Sequence, residues 1–442
     1  MTESTLIMVN PSGPERWLTT PEAAARLGVK PQTLYAYVAR GVIDRHRGDD
    51  GRTSRFDAAD VEALARRGRP RRRGAESGND GTVDNAITSI PAGPSRRFGH
   101  LYRGRRALDL AGAATFESVA GWLLDGDERP LRVAPAPRTA TGARTDTRAP
   151  SLADLRRAVD ASDAVDASDA ADAGDRRAMA EQVLAAMVAT AGPAPRCIPT
   201  LDLGDGTRHA GTVAARLAVT LRDPSGDPST QPCGEPWAPY AVNTALVLLA
   251  DHELATSTLA ARVAASTRAA PAACVVAALA TLSGPLHGTA ADAVLDALDA
   301  DDPAAALRDR AGDGPIPGFG HPLYDRIDPR CRRLLDVVRQ AVGSHPGLDR
   351  IDSLVRSIRR GGGPPPNVDL GLAAVVRLAG LRSGSAAMIF AIARTAGWLA
   401  HVAEELDEAP LRYRARAVTR PTASLGAARP PAPASTGRPR PR

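Results

Sequence analysis

The sequence predicts a mainly α-helical protein, a long all-helical body preceded by a small winged helix-turn-helix unit. Three observations carry this. Long Ala/Leu/Val-rich segments recur with helical spacing, and almost nothing alternates with a period of two. At 442 residues the chain is too long for one ordinary domain. Its excess charge is also confined: residues 1–75 carry a net +5 of the chain's +6.

Composition narrows the class. Hydrophobic residues make up 43% of the chain, enough for a substantial core, but aromatics only 3%, so Ala, Leu and Val must fill it. Lys30 is the single lysine among 56 basic residues, a bias of base composition rather than function. No stretch approaches the ~20 uninterrupted apolar residues of a membrane span. The start shows no basic flank before an apolar run, so no secretory signal is expected and the cytoplasm is the expected compartment. Cys197, Cys233, Cys274 and Cys331 are dispersed without C-x-x-C spacing and are expected to be reduced thiols, not a disulfide or metal framework.

Residues 1–67 read as the small unit. Thr20-Pro21-Glu22 is a helix start with Thr as cap and Pro first in the helix, and Gly28 ends it. A second helix runs from Pro31 to about Arg40, with Lys30 in a cap position that an oxygen side chain would fill better. Val42–Arg47 and Arg52–Phe56 flank Gly48-Asp49-Asp50-Gly51 as a hairpin, and Asp57 with Asp60 opens a last helix to about Arg67. Residues 68–93, basic and then rich in Gly, Ser, Asn and Asp, read as a flexible linker. The body follows over 94–421, and a family resemblance carried by its motifs implies a smaller domain within it at about 288–382. A low-complexity insertion lies at about 132–175, and residues 422–442 form a Pro/Ala/Arg tail expected to be disordered. Helices are expected over 115–124, 176–190, 240–267, 271–282, 289–299, 331–342, 369–380 and 384–405. Gly/Pro loops at 284–288, 312–322 and 361–368 break them.

"LTTPEAAARLGVKPQTLYAYVARGVID" resembles the MerR/excisionase-type family. That resemblance implies a second helix entering a major groove, with Gln32, Thr33, Tyr35 and Arg40 as base or phosphate contacts. Arg45, Arg47, Arg52 and Arg55 on the wing, then Arg69–Arg73, reach phosphates. DNA is thus a partner of this unit, unless it serves as a docking or dimer-supporting module.

The chemistry-bearing residues of the body lie mostly in its loops. His287 sits in "LSGPLHGTAADAVL", where a tight turn presents an imidazole near a helix N-terminus, a place that disfavours imidazolium. His321 follows another Gly-rich turn in "IPGFGHPLYDRIDPR", with Arg330 nine residues on. "GGGPPPNVD" brings Asp369 to the start of an apolar helix. Arg394 lies inside the otherwise apolar "MIFAIARTAGW", where a buried guanidinium needs an anion, and Phe390 shares its face. Singly, each has a bland structural explanation. Together, two loop histidines, a carboxylate and several arginines suit enolate chemistry on a dianionic keto acid.

With "DHELATSTLAARVAAST" and "GHLYRGRRALDLAGAATFESVAGWLL", these motifs in this order resemble the citrate synthase and 2-methylcitrate synthase family. The resemblance implies an acyltransferase that condenses acetyl-CoA or a related acyl-CoA with oxaloacetate. Acyl-CoA is a substrate, so no cofactor and no metal are implied. Asp369 would take the proton, His287 would bond the enolate oxygen, and His321 would polarise the keto carbonyl. His252, Arg330 and Arg394 would hold carboxylates, with Phe390 alongside. Pro317, Gly318, Phe319 and Gly320 would meet the CoA adenine. A homodimer is implied, its site completed in trans by Arg412, with Arg414 as the alternative in "LRYRAR". Three departures from the family pattern stand out: "LHGT" for "LHGG", "ATST" for "NAST", and Tyr413 for proline. The alternatives are a transcriptional regulator sensing metabolites through the same body, and citryl-CoA cleavage.

Overall fold

The structure is a computed structural model. In the N-terminal unit it describes residues 17–27, 29, 34, 38, 43, 45–47, 53–58 and 60–61. In the body it describes 83, 85–91, 98–135, 148–162, 173–193, 195, 197–224 and 233–413. The two units are Met1–Thr82 and Val83–Arg442.

In the first unit, β1 (Trp17–Thr19) leads into α1 (Thr20–Arg26), and β2 (His46–Arg47) and β3 (Ser54–Asp57) follow. The sheet order is β1-β3-β2, antiparallel throughout. The hairpin is the one expected, with His46 opposite Arg55, but shorter; the strand β1 on its other side was not foreseen. The helix cap is Thr19 rather than Thr20. Glu22 reaches back to accept from the Thr19 backbone N–H at 2.8 Å and its hydroxyl at 2.7 Å, half of a capping box. Leu18, Ala23, Ala24, Leu27, Leu34, Ile43, Phe56 and Val61 form a separate small core.

The body opens on β4 (Thr88–Ser89), β5 (Leu101–Tyr102) and β6 (Arg105–Arg106), an antiparallel meander. Residues 85–91 therefore belong to the body and not to a linker reaching residue 93. Ile87 is buried in its core, and Glu404 accepts from the Ala86 N–H. Next come α2 (Ala107–Ala113), α3 (Phe116–Asp125), α4 (Leu152–Asp160) and α5 (Ala173–Ala189). A short hairpin follows, β7 (Leu201–Asp202) and β8 (Arg208–His209), then α6 (Val213–Thr220), α7 (Ala238–Leu249), α8 (Thr256–Ser266) and α9 (Pro271–Leu282). The chain continues with α10 (Ala290–Leu298), α11 (Pro303–Ala311), α12 (Pro329–Val342), α13 (Pro346–Arg360), α14 (Val368–Leu378) and α15 (Ser385–Leu406).

Three expectations need correcting. The helix over 240–267 is two helices, α7 and α8, separated by a turn that carries Asp251, His252 and Glu253, the last at φ +53°. The insertion at 132–175 contains α4, a core helix. Ser151 and Asp154 form its capping box, and Leu152, Leu155 and Val159 are buried one helical turn apart. The repetitive Asp/Ala/Ser composition beside it masked that pattern. Cys197 and Cys233 are joined in a disulfide, with Cα atoms 5.9 Å apart, while Cys274 and Cys331 are free and buried. Their separation of 36 residues gave no hint of this proximity.

α15 is the axis of the body. It is long and apolar enough to cross a membrane, yet that stretch is entirely enclosed by protein. α3, α5, α7, α8 and α9 pack around it. Gly397 allows the closest of these approaches. A Cβ there would lie 2.4 Å from the Ala250 carbonyl oxygen and 2.5 Å from Asp251 Oδ1, so only glycine lets α15 rest on the α7–α8 turn.

The disulfide closes a long loop in the unfolded chain, so its loss is expected to cost about 2–4 kcal/mol. Dithiothreitol should lower the melting temperature of the wild-type protein, and Cys233→Ser should melt low whether or not reductant is present. Identical melts under all conditions would show that these two cysteines act as thiols.

Candidate active site

Two loops meet through their backbones. Gly320 N–H donates to the Pro365 carbonyl at 2.7 Å, Asn367 N–H to Gly318 at 2.9 Å, and Asp328 N–H to Pro366 at 3.1 Å. The Asn367 side chain caps α14 by accepting from Asp369 N–H, and its amide donates to the Gly320 carbonyl at 2.9 Å. Gly318 is at φ +81°, and a Cβ there would sit 2.6 Å from Val294. This stitching fixes His321 and Asp369 relative to each other, and it accounts for the Gly-rich and Pro-rich runs. Pro317–Gly320 form a turn in the same seam, with Gly318 and Phe319 buried.

His321 Nδ1 accepts from Leu323 N–H at 3.0 Å, which leaves the ring hydrogen on Nε2. That Nε2 lies 3.4 Å from an Arg330 nitrogen. Two donors thus converge on one place, an arrangement that suits an acceptor oxygen between them. Burial and the Arg330 charge push the His321 pKa down to about 4. Arg330 is itself anchored, with Asp328 accepting from it at 2.7 Å in a fully buried pair. Asp328 was passed over in the sequence although it lies inside the motif.

His252 crosses His321 edge-on, ring centroids 5.2 Å apart, and its Nε2 meets the Tyr324 hydroxyl at 3.1 Å. Its pKa is held well below the usual range by burial and Arg330. Tyr324 also packs against His321 at 4.8 Å and lies 5.8 Å from the Arg330 guanidinium, a joint that sequence reading missed. His287 Nε2 meets Ser257 Oγ at 2.9 Å, and its ring faces Phe390 at 6.4 Å. Burial and then Arg394 lower its pKa to about 4; these, more than the helix terminus expected, keep it neutral. Thr289, the residue by which "LHGT" departs from "LHGG", is the cap residue of α10 but makes no capping bond.

Arg394 is buried and lies 4.9 Å over Phe390, with its Nε donating to the Leu249 carbonyl at 2.8 Å. Among the described residues it has no ion-pair partner. Asp369 is pushed up to about 6, by burial foremost and by the neighbouring Asp328 and Asp292 charges, against the pull of Arg330 and Arg394. His252, His321 and Arg330 thus form one set of contacts and His287, Phe390 and Arg394 a second, Asp369 feels the charges of both arginines, and Arg412 lies apart from them. Arg412 forks onto Glu405 of its own chain at 2.6 Å through both Nε and an Nη. Arg414 lies outside the described residues. Among the described residues no cluster of His, Cys, Asp or Glu is arranged to hold a metal.

In the N-terminal unit, Arg45 and Arg55 are exposed on the wing, and Arg47 lies in β2. Gln32, Thr33, Tyr35, Arg40 and Arg52 lie outside the described residues.

Fold and site thus define a helical body in which buried histidines and arginines cluster around two loops stitched together through their backbones. Residues 81–422 match the family described as citrate synthase, C-terminal domain, and residues 17–69 match a helix-turn-helix domain. The chain belongs to the citrate synthase family. It is 34% identical over 193 residues to a citrate synthase of Thermoplasma acidophilum, covering 40% of this chain and 50% of that one. It is 32% identical over 170 residues to 2-methylcitrate synthase 1 of Corynebacterium glutamicum, covering 37% and 45%. The chain thus spans about half the length of the curated relatives it matches. Its fold is similar to that of the Thermoplasma acidophilum citrate synthase solved as a ternary complex with carboxymethyl coenzyme A and oxaloacetate. That likeness has TM-score 0.58 and 23% identity, over 77% of this chain and 94% of that one. The citrate synthase of Pyrobaculum aerophilum gives TM-score 0.56 and 23% identity, over 85% and 94%.

The raised Asp369 pKa has a signed consequence for stability. The fold binds this proton more tightly than the unfolded chain does, so the group's stabilising contribution is complete below the ordinary carboxyl range. It is lost as pH rises through about 6, above which an ionised carboxylate is held at a cost. Asp369→Asn should therefore melt higher than wild type at pH 8 and alike near pH 4. A variant that melts lower at pH 8 would contradict this.

Proposed function

We propose that the body condenses an acyl-CoA, acetyl-CoA or propionyl-CoA, with oxaloacetate and water to give citrate or 2-methylcitrate and CoA. The observation that carries this reading is the convergence of the His321 Nε2–H and an Arg330 donor on one place, on loops whose backbone bonds also hold Asp369 at the start of α14. Burial raises the Asp369 pKa to about 6 and lowers those of His287 and His321 to about 4. At neutral pH Asp369 is a carboxylate able to accept a proton, while His287 and His321 are neutral rings able to donate hydrogen bonds. Asp369 removes a proton from the carbon next to the thioester carbonyl, and His287 stabilises the enolate oxygen as charge develops. That carbon attacks the keto carbon of oxaloacetate, polarised by the Nε2–H of His321. His252, Arg330 and Arg394 hold the carboxylates, and Phe390 packs the floor. Water then cleaves the citryl thioester and frees CoA. Pro317–Gly320 form the adenine-side turn, acyl-CoA is a substrate, and no cofactor is needed.

The working assembly is a homodimer in the cytoplasm, with Arg412 reaching a neighbour's site. For that, Arg412 must exchange its fork on Glu405 for a substrate carboxylate. One methylene is worth only about 1–3 kcal/mol in a pocket, so the choice between acetyl-CoA and propionyl-CoA is a small one.

Asp369→Asn tests the chemistry. Thiol release from acetyl-CoA or propionyl-CoA should require oxaloacetate and fall at least ~100-fold in the variant, while oxaloacetate binding by calorimetry is nearly unchanged. A variant with most of its turnover would remove Asp369 from the mechanism.

A second reading, a DNA-linked regulator that senses these metabolites, is favoured by one feature, the basic helix-turn-helix unit. Deleting residues 1–75 should leave thiol release unchanged, because the body's own structure begins after that point. The full chain should retain DNA fragments in a strongly salt-dependent way, and the truncated chain should not. No retention even at low salt would make the unit a docking module, and lost turnover would make it part of the enzyme.

A further inference from the structure

His100 precedes β5 and lies in no motif that the proposed mechanism uses. It is 1% exposed, and neither ring nitrogen has a hydrogen-bond partner among the described residues. Its ring sits edge-on to His252, centroids 5.1 Å apart, and edge-on to Tyr102 at 4.7 Å. His100, His252 and His321 thus form a continuous edge-to-face row, which Tyr324 joins at the His321 end. The charges that act on His100 are those of Arg330, Asp251, Asp328 and Arg394. Burial first, then Arg330, lowers its pKa to about 3, so at neutral pH the ring carries one N–H and one bare nitrogen.

A buried imidazole with neither nitrogen satisfied is costly, and an apolar side chain of similar volume would remove that cost. The place therefore calls for a ligand that accepts a hydrogen bond. The surroundings say which kind. Two arginines proposed to bind carboxylates are close enough to act on the ring by charge, Arg394 has no ion-pair partner among the described residues, and His252 stands between His100 and His321. Asp251 also keeps one oxygen, Oδ1, without a partner. Asp328 pairs with Arg330, whereas Asp251 offsets Arg394 only at longer range and without an ion pair, so Arg394 is the cation left to meet a further anion.

We propose that His100 is a specificity-determining residue of the keto-acid site, its N–H donating to a carboxylate of the bound dicarboxylate beside His252 and Arg394. This rests on the keto-acid reading given above and adds a donor to it. The donor counts only towards the keto acid and contributes nothing to the acyl-CoA.

The test compares wild type, His100→Leu and His100→Gln by calorimetry with oxaloacetate alone, by KM for each substrate, and by thermal melting. His100→Leu should bind oxaloacetate roughly 10- to 100-fold more weakly, the worth of one hydrogen bond to a charged group. Its KM for acyl-CoA should be unchanged and its melting temperature equal or higher, because an unsatisfied polar ring is gone. His100→Gln, which keeps a donor, should recover most of the affinity. Unchanged oxaloacetate affinity in His100→Leu overturns the proposal. So does a large fall in melting temperature with both substrates weakened, or a glutamine variant no better than leucine. If wild type itself fails to bind oxaloacetate, the function proposed for the body falls with it. Wild-type binding with an indifferent His100→Leu sinks this inference alone.

Discussion

The Asp251 carboxylate is the point on which the body turns. It is fully buried, and it accepts from the Thr88 hydroxyl at 2.5 Å and from His401 Nε2 at 3.1 Å. Burial alone would raise its pKa, but His401, Arg394 and Thr88 together hold it below the ordinary range. Arg262 donates to His401 Nδ1, which leaves Nε2 to serve Asp251, and Arg262 also binds Glu404 and Glu405. Glu405 in turn receives Arg412. One network therefore links the first strand of the body, the α7–α8 turn, α8, α15 and the chain beyond it. His252 is the next residue after Asp251, so its place depends on every member. Removing Arg262 would break its buried ion pair with Glu405, and breaking such a pair typically costs about 3–5 kcal/mol.

This network explains why a polar system survives in a core built from Ala, Leu and Val. With few aromatics, the interior has little bulk to lock one arrangement of helices. Gly397 makes the approach of α15 to Asp251 possible, and the hydrogen bonds then fix its register. It also connects the Arg412 segment to the site electrostatically, although Arg412 touches none of the proposed catalytic residues in this chain. Any rearrangement that takes Arg412 off Glu405 returns negative charge to Arg262 and, through His401, to Asp251.

How much of this was legible depended on whether the signal was local. His287, His321, Asp369 and Arg394 stood out because tight turns, a helix start and an apolar helix each make a polar residue conspicuous in sequence. The helix breaks at Gly/Pro loops were legible for the same reason. The split between α7 and α8 was not, since Asp251 and His252 lie in a helical pattern and only long-range partners, Thr88 and His401, pull them out of it. The Cys197–Cys233 bridge, the Tyr324 contact with His252 and the burial of His100 are likewise facts of tertiary proximity. α4 was legible and overlooked, its Leu152, Leu155 and Val159 stripe hidden beside low-complexity sequence.

The histidines show what the arginines are for. His100, His252, His287 and His321 are all held neutral by burial and by cations next to them. An imidazolium would donate a stronger hydrogen bond, but it would repel Arg330 and Arg394 and, in the reaction proposed above, would protonate the enolate before it could attack carbon. Neutral rings avoid both: in the proposed reaction they would stabilise developing charge without surrendering a proton, leaving the arginines to supply the positive potential. Asp369 is shifted the opposite way by the same enclosure, because burial penalises its charged form while the arginines only partly offset it. A single physical condition, burial around two guanidinium groups, therefore sets both the proposed donors and the proposed base. The site needs no separate device for each.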